Sequence, residues 1–157
     1  MRVLLASDHA GFDLKAVLVP FVHSLGYATE DLGPFSYDAG DDYPDFVAKV
    51  AEQVSAKPAE IIGIVIGGSG QGEAMGANRF PQVRAAVFYG GSSRVLSLSR
   101  EHNDANVLSL GARFVSEEEA KTAVEVWLRT RFSGSERHVR RIKEIDSLQP
   151  WSKSSQQ

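Results

Sequence analysis

Ile61-Ile62-Gly63-Ile64-Val65-Ile66 runs straight into Gly67-Gly68-Ser69-Gly70-Gln71-Gly72-Glu73. The first six residues form an apolar run interrupted by one glycine. That is the pattern of a strand buried on both faces, as in parallel sheets covered by helices. The glycines after it predict a tight strand-to-helix turn, with a short helix from Glu73. The same alternation extends in both directions. Upstream, Val3-Leu4-Leu5-Ala6 reads as a buried strand. Leu14, Val17, Leu18, Phe21, Val22 and Leu25 then recur at helical spacing until Gly26, with Pro20 expected to kink that helix. Tyr27 to Leu32 reads as a second strand. After the acidic loop Asp38 to Asp42, Tyr43-Pro44 leads into a helix through Phe46, Val47, Val50 and Val54. Downstream, Val83 to Phe88 predicts a strand, Val95 to His102 a helix and Asn106 to Leu110 a fifth strand. Ser116-x-x-Glu119 is a capping box opening a helix to Arg131 that buries Ala120, Ala123, Val124, Trp127 and Leu128. A last helix is expected from about Glu136 to Leu148.

Repeated β-α units in a chain of 157 residues predict an α/β fold. The expected architecture is a three-layer α/β/α sandwich around a five-stranded parallel Rossmann-like sheet, joined by right-handed crossovers. A single domain, residues 1–148, accounts for the whole pattern, and the polar tail 149–157 is expected to fray. With 43% apolar and 24% charged residues the chain is of ordinary globular composition, which excludes a disordered protein. A net charge of −3 gives no global attraction to nucleic acid or to an anionic membrane, so any basic site must be local. The absence of cysteine excludes disulfides, thiolate zinc sites, CxxC redox chemistry and a cysteine nucleophile. The apolar start reaches Ser7-Asp8-His9 too soon for a signal peptide, and no apolar run approaches the ~20 residues that span a bilayer. A cytoplasmic protein with no membrane contact is the expectation.

In such sheets ligands sit beyond the carboxyl ends of the strands. The chemistry is therefore expected at Ser7-Asp8-His9, at Gly67 to Glu73 and near Arg113. Consecutive N–H groups in a glycine loop before a helix form an anion-binding concavity. Three named loop motifs nearly fit and each fails. A P-loop needs lysine where Glu73 stands, a dinucleotide fingerprint finds Glu73 or Met75 at its last glycine, and a nucleophile elbow finds Gln71. The same glycines also suit a bare turn, with Glu73 complementing the helix dipole. Asp8 suits an N-cap as well as catalysis. His102-Asn103-Asp104 suits a helix end as well as an acid/base group, and His23 reads as structural or exposed. Arg137, His138, Arg140 and Arg141 open the last helix, and Arg137 and Arg141 share one face four residues apart. Charge runs are usually solvated faces, but this density in an acidic chain suggests a small anion such as phosphate rather than a polynucleotide.

Taken in order, Ser7-Asp8-His9-Ala10-Gly11, Asp42-Tyr43-Pro44, the loop Gly67 to Glu73, Ala77-Asn78-Arg79, Arg100 to Asn106, Gly111-x-Arg113 and Arg137-His138-x-x-Arg141 form a joint signature. The chain resembles the ribose-5-phosphate isomerase B family, which also includes galactose-6-phosphate and allose-6-phosphate isomerases, over about residues 1 to 145. The resemblance implies an aldose–ketose isomerase that opens a sugar ring and passes through an enediolate without metal or organic cofactor. It implies that Asp8 and His102 assist ring opening and that Glu73 moves the proton between C2 and C1. Ser69, Asn103 and the amides around Gly68, Gly70 and Gly72 would stabilise the enediolate, and Tyr43 would line the sugar pocket. His9, Arg113, Arg137 and Arg141 would gather the phosphate, with His138 beside the last two. Arg137 and Arg141 would reach across from a neighbouring subunit of a homodimer or tetramer. One branch of the family has a cysteine base at the position of Ser69, and this sequence departs from it. Ribose 5-phosphate is the expected substrate, with allose 6-, galactose 6- or erythrose 4-phosphate as alternatives. A non-catalytic phosphosugar or nucleotide sensor would explain the loop and arginines. It gives no reason for Asp8, Glu73 and His102, expected at three positions along the ligand edge.

Overall fold

A computed structural model describes residues 1–148; the tail expected to fray, 149–157, lies outside the described residues. The strands are β1 (Arg2–Ser7), β2 (Ala28–Asp31), β3 (Ile61–Gly67), β4 (Ala85–Phe88) and β5 (Val107–Gly111). The helices are α1 (Phe12–Ser24), α2 (Tyr43–Ala56), α3 (Gln71–Ala77), α4 (Arg94–Asn103), α5 (Glu117–Arg129) and α6 (Glu136–Asp146), with a 3-10 turn at His9–Gly11. The five strands form one sheet in the order β2-β1-β3-β5-β4, with every neighbouring pair parallel. This is the expected α/β class.

Alternation along the central strands feeds two cores. Val3, Leu5, Ile62, Ile64, Ile66, Leu108 and Leu110 pack with α1, α4 and α5 around Leu18, Val22, Leu96, Val124 and the fully buried Trp127. Leu4, Ala6, Ile61, Val65 and Val107 pack on the other face against Val47, Val50, Ala51 and Val54 of α2 and Ala77 of α3. Gly63 lies on this second face, where a Cβ would overlap Val50, so the glycine lets α2 approach the sheet closely.

Two boundaries move for local reasons. α3 opens at Gln71 rather than Glu73, with the Gln71 N–H donating to the Ser69 hydroxyl at 3.3 Å. β4 opens at Ala85 rather than Val83, because the Arg84 N–H donates to the Asn106 side chain at 2.8 Å rather than to a neighbouring strand. α1 is continuous through Pro20. Pro20 and Ala16, whose carbonyl loses its helical partner, are both exposed, so that carbonyl lies on the side where water replaces the bond. The predicted capping box at Ser116 and Glu119 is present in both directions.

Candidate active site

The sheet order reverses between β1 and β3, since β2 follows β1 on one side and β3 lies on the other. Such a switch point opens a crevice beyond the carboxyl ends of the two strands. Both predicted segments meet there. Asp8 follows β1 and is 7% exposed. Its Oδ1 accepts the N–H groups of Ala10 at 2.9 Å and Gly11 at 3.1 Å, which starts the 3-10 turn.

The glycine loop follows β3. Gly70 takes a positive φ of 76° that turns the chain into α3. Its carbonyl accepts the buried Ser109 hydroxyl at 2.6 Å. Among the described residues, no acceptor in the chain meets the N–H groups of Gly68, Ser69 and Gly70, so three loop donors remain for an anionic oxygen. Glu73 sits in the first turn of α3 and is 4% exposed. Its carboxylate folds back over Gly67, where any Cβ would overlap Oε1. Burial raises the Glu73 pKa above the ordinary carboxylate value, its own backbone N–H opposes this, and the nearby Asp8 charge raises it further. The site therefore holds a carboxylate of enhanced basicity beside free N–H donors. Tyr43, at the start of α2, lays its ring against Gly72.

Arg113 and His9 stand at the rim. The Arg113 backbone N–H donates to Gly68 O at 3.1 Å, and its guanidinium passes over Gly68. His9 is held by Asp41, a residue the sequence reading placed only in an acidic loop. The Asp41 Oδ1 lies 2.7 Å from His9 Nδ1 and accepts the His9 backbone N–H at 3.0 Å. The Asp41 bond is the main cause of a His9 pKa above the usual histidine value, with Asp8 adding to it and burial and Arg113 opposing. No short-range signal marks Asp41, because its partner is 32 residues away. Asp8, His9 and Asp41 bring three possible ligand atoms within 4.8 Å of one another, but the hydrogen bonds just described already account for that cluster.

His102 and Asn103 are not at this edge. A crossover helix in a parallel sheet runs back to the starting end of the strands, so the end of α4 lies at the amino ends of β4 and β5. Arg84, immediately before β4, fixes it there. Its Nε donates to the carbonyls of Asn103 and Asp104, each at 3.0 Å. The five residues of β5 alone separate the two edges by about 16 Å. The expectation that His102 stands at the ligand edge with Asp8 and Glu73 is thereby corrected for a single chain; Asn103 lies at the same far end, away from its own chain's glycine loop.

At this opposite end His102 joins α6. Its ring stacks on His138 with centroids 4.2 Å apart and planes at 14°. His138 is buried, and Arg137 Nε donates to its Nε2 at 3.3 Å. Burial, then His102, Arg137 and Arg141, lower the His138 pKa, which fits a neutral ring accepting from arginine. Arg137 and Arg141 remain exposed. Arg140 instead faces Glu144 at 3.8 Å, so the basic run divides into a clustered part and a solvated part. His23 is exposed, within the expectation for it.

The chain thus carries two sets of polar side chains at opposite ends of the sheet: Glu73, the glycine loop, His9 and Arg113 at one, and imidazoles and arginines at the other. The family model described as Ribose/Galactose Isomerase matches residues 3–145. Ribose-5-phosphate isomerase B of Mycolicibacterium paratuberculosis is 43% identical over 142 residues, covering 90% of this chain and 87% of that protein. The crystal structure of ribose-5-phosphate isomerase B from Mycoplasma genitalium with bound ribulose-5-phosphate superposes with a TM-score of 0.88 at 39% identity, covering 92% of this chain and 93% of that one. The Clostridium thermocellum ribose-5-phosphate isomerase B structure gives 0.86 at 41% identity, covering 93% and 95%. No described helix is long and apolar enough to cross a membrane.

Proposed function

The chain belongs to the ribose/galactose isomerase family and is an isomerase, and from that premise we propose that it interconverts D-ribose 5-phosphate and D-ribulose 5-phosphate with Glu73 as the proton-transfer base. The observation that carries this reading is the buried, basic Glu73 carboxylate next to the free amides of the loop. The C–H beside a sugar carbonyl is weakly acidic, so its removal needs a positioned base and donors for the oxygen that becomes negative. Glu73 takes the C2 proton, the C–H electrons form a C1–C2 double bond, and O1 becomes an oxyanion. The loop N–H groups and Ser69 meet that charge. Return of the proton to C1, with the O2 hydroxyl proton passing to O1, completes the ketose. A base contributes roughly 10²–10⁴-fold, and one oxyanion donor roughly 10²–10³-fold.

His9 and Arg113 take the phosphate, and Tyr43 lines the sugar. The reading includes a working site shared between two copies of the chain. His102, as ring-opening acid/base, with Asn103, Arg137, His138 and Arg141 would serve the partner's Glu73. The support is the geometry: these side chains cannot reach their own Glu73 across the sheet, and Arg137 and Arg141 stay exposed. The proposal also takes residues 1–148 as a single catalytic domain in a cytoplasmic setting, and the chemistry calls for neither metal nor organic cofactor.

The test is NMR of ribose 5-phosphate in D₂O with the purified protein. Ribulose 5-phosphate should form, and deuterium should enter at the exchanging carbon. Binding without conversion or exchange would return the chain to the sensor reading. Running allose 6-, galactose 6- and erythrose 4-phosphate in parallel ranks the sugars.

A further inference from the structure

We infer that Asp41 is a positioning residue for phosphate recognition: by gripping His9 at both its backbone N–H and its Nδ1, it presents the free edge of the imidazole as a fixed donor to the phosphate. This rests on the proposed role of His9 and extends it to a residue outside the proposed binding set.

The geometry is two-point. One oxygen, Asp41 Oδ1, takes the His9 backbone N–H at 3.0 Å and Nδ1 at 2.7 Å, so it fixes both where the chain places the ring and how the ring is turned. With Nδ1–H committed to the carboxylate, Nε2 can donate to an anion only if the ring carries both protons. The Asp41 side chain is only 8% exposed, and its Oδ2 is buried with no hydrogen-bond partner among the described residues. A carboxylate so placed is costly unless a cation compensates it, and His9 is the group it touches. The segment leading to it is pinned by two sets of contacts. Lys15 Nζ donates to Pro34 O at 2.9 Å and to both oxygens of Asp31 at 2.6 Å. The Tyr37 ring stands edge-on to His9 with centroids 6.4 Å apart, and against Phe12 at 6.1 Å.

The charged groups facing His9 are Asp41 and Asp8, which favour its cation, and Arg113, which opposes it; the Tyr37 ring completes its surroundings. The net direction is an imidazole protonated to higher pH than an ordinary histidine. A sugar phosphate becomes a dianion above pH ~6. A raised His9 value therefore widens the pH range in which dianion and imidazolium coexist. Without the Asp41 charge that range narrows from its alkaline side.

The test uses the full-length protein and inorganic phosphate. Asp41→Asn keeps the shape and removes the charge. Phosphate binding, measured by calorimetry across pH, should weaken about tenfold near neutrality, the order of one charged hydrogen bond. The midpoint of the His9 ring resonances in NMR should move down. His9→Gln should cost a similar factor, and Asp41→Asn placed in the His9→Gln background should add less than about twofold, because Asp41 acts through His9. For turnover of ribose 5-phosphate, Asp41→Asn should raise KM and leave kcat within about twofold. An unmoved His9 midpoint, unchanged phosphate affinity, or a full additional loss in the His9→Gln background overturns the inference. Wild-type protein that binds no phosphate does so too. The calorimetry and titration need no turnover, so absence of isomerisation would remove the proposed reaction and leave this test intact.

Discussion

At the scale of single residues, Glu73 combines functional use with cost to the fold. Glu73→Gln keeps the shape and cannot accept a proton, so isomerisation should fall at least ~10²-fold while the sugar phosphate still binds. Turnover above about a tenth of wild type would remove Glu73 from the role. The raised pKa fixes a second sign. A carboxylate that binds its proton more tightly in the folded state stabilises the fold below its unfolded pKa, and that contribution is lost as pH rises through the folded value. At neutral pH the Glu73 charge therefore opposes folding, and Glu73→Gln should melt higher than wild type, by calorimetry. In wild type, kcat/KM should fall on the acid side at a pH above that of an ordinary carboxylate, because the base must be ionised to act. Gly67 belongs to the same device. Its missing side chain is the space the carboxylate occupies, so Gly67→Ala should abolish activity while leaving every reacting group in the sequence.

At the scale of elements, the crossover helices decide which residues can meet. α4 delivers His102 to the end of the sheet opposite Glu73, beside Arg137, His138 and Arg141 of α6. A shared site then predicts a specific pattern of rescue. Glu73→Gln mixed with His102→Asn, or with the Arg137→Ala, Arg141→Ala double variant, should recover up to about a quarter of wild-type activity, because random pairing makes about half the dimers mixed, each with one intact site. His102→Asn mixed with the double arginine variant should recover nothing, since both lesions lie in the same set. Rescue in that last mixture, or none in the first two after verified exchange, would refute sharing. A purely structural element behaves differently. Ser116 caps α5 through the Glu119 N–H at 3.3 Å and belongs to neither set. Ser116→Ala should cost about 1 kcal/mol in urea unfolding and leave kcat unchanged.

For the whole molecule, the sequence carried the fold class because a buried parallel strand announces itself: Ile61 to Ile66 leaves no polar position to face water. It carried the meeting of the Asp8, glycine-loop and Arg113 segments at one edge because these are contiguous motifs at strand ends. It did not carry the strand order that brings β5 between β3 and β4, which depends on pairing between distant segments. Nor did it carry the side of the sheet on which His102 lies. The run Arg100 to Asn106 looks the same at either edge, and only the direction of α4 decides. Asp41 was hidden for the same reason, its partner being distant in the chain. If the site is shared, specific activity should decline as the protein is diluted towards dissociation, while far-UV circular dichroism, which reports a core complete within one chain, is retained. Constant specific activity in a sample shown by sedimentation to be monomeric would sink the idea. The separation of the two sets also has a genetic reading. If two copies share their sites, a chain bearing Glu73→Gln alone, made alongside equal wild-type chain, should leave about half the sites working, because each mixed dimer would keep one. A chain bearing both Glu73→Gln and His102→Asn spoils both sites of every mixed dimer, and only about a quarter survive. In a shared site, two recessive lesions become dominant when they sit at opposite ends of one copy, and the direction of a single helix would then set how such defects are inherited.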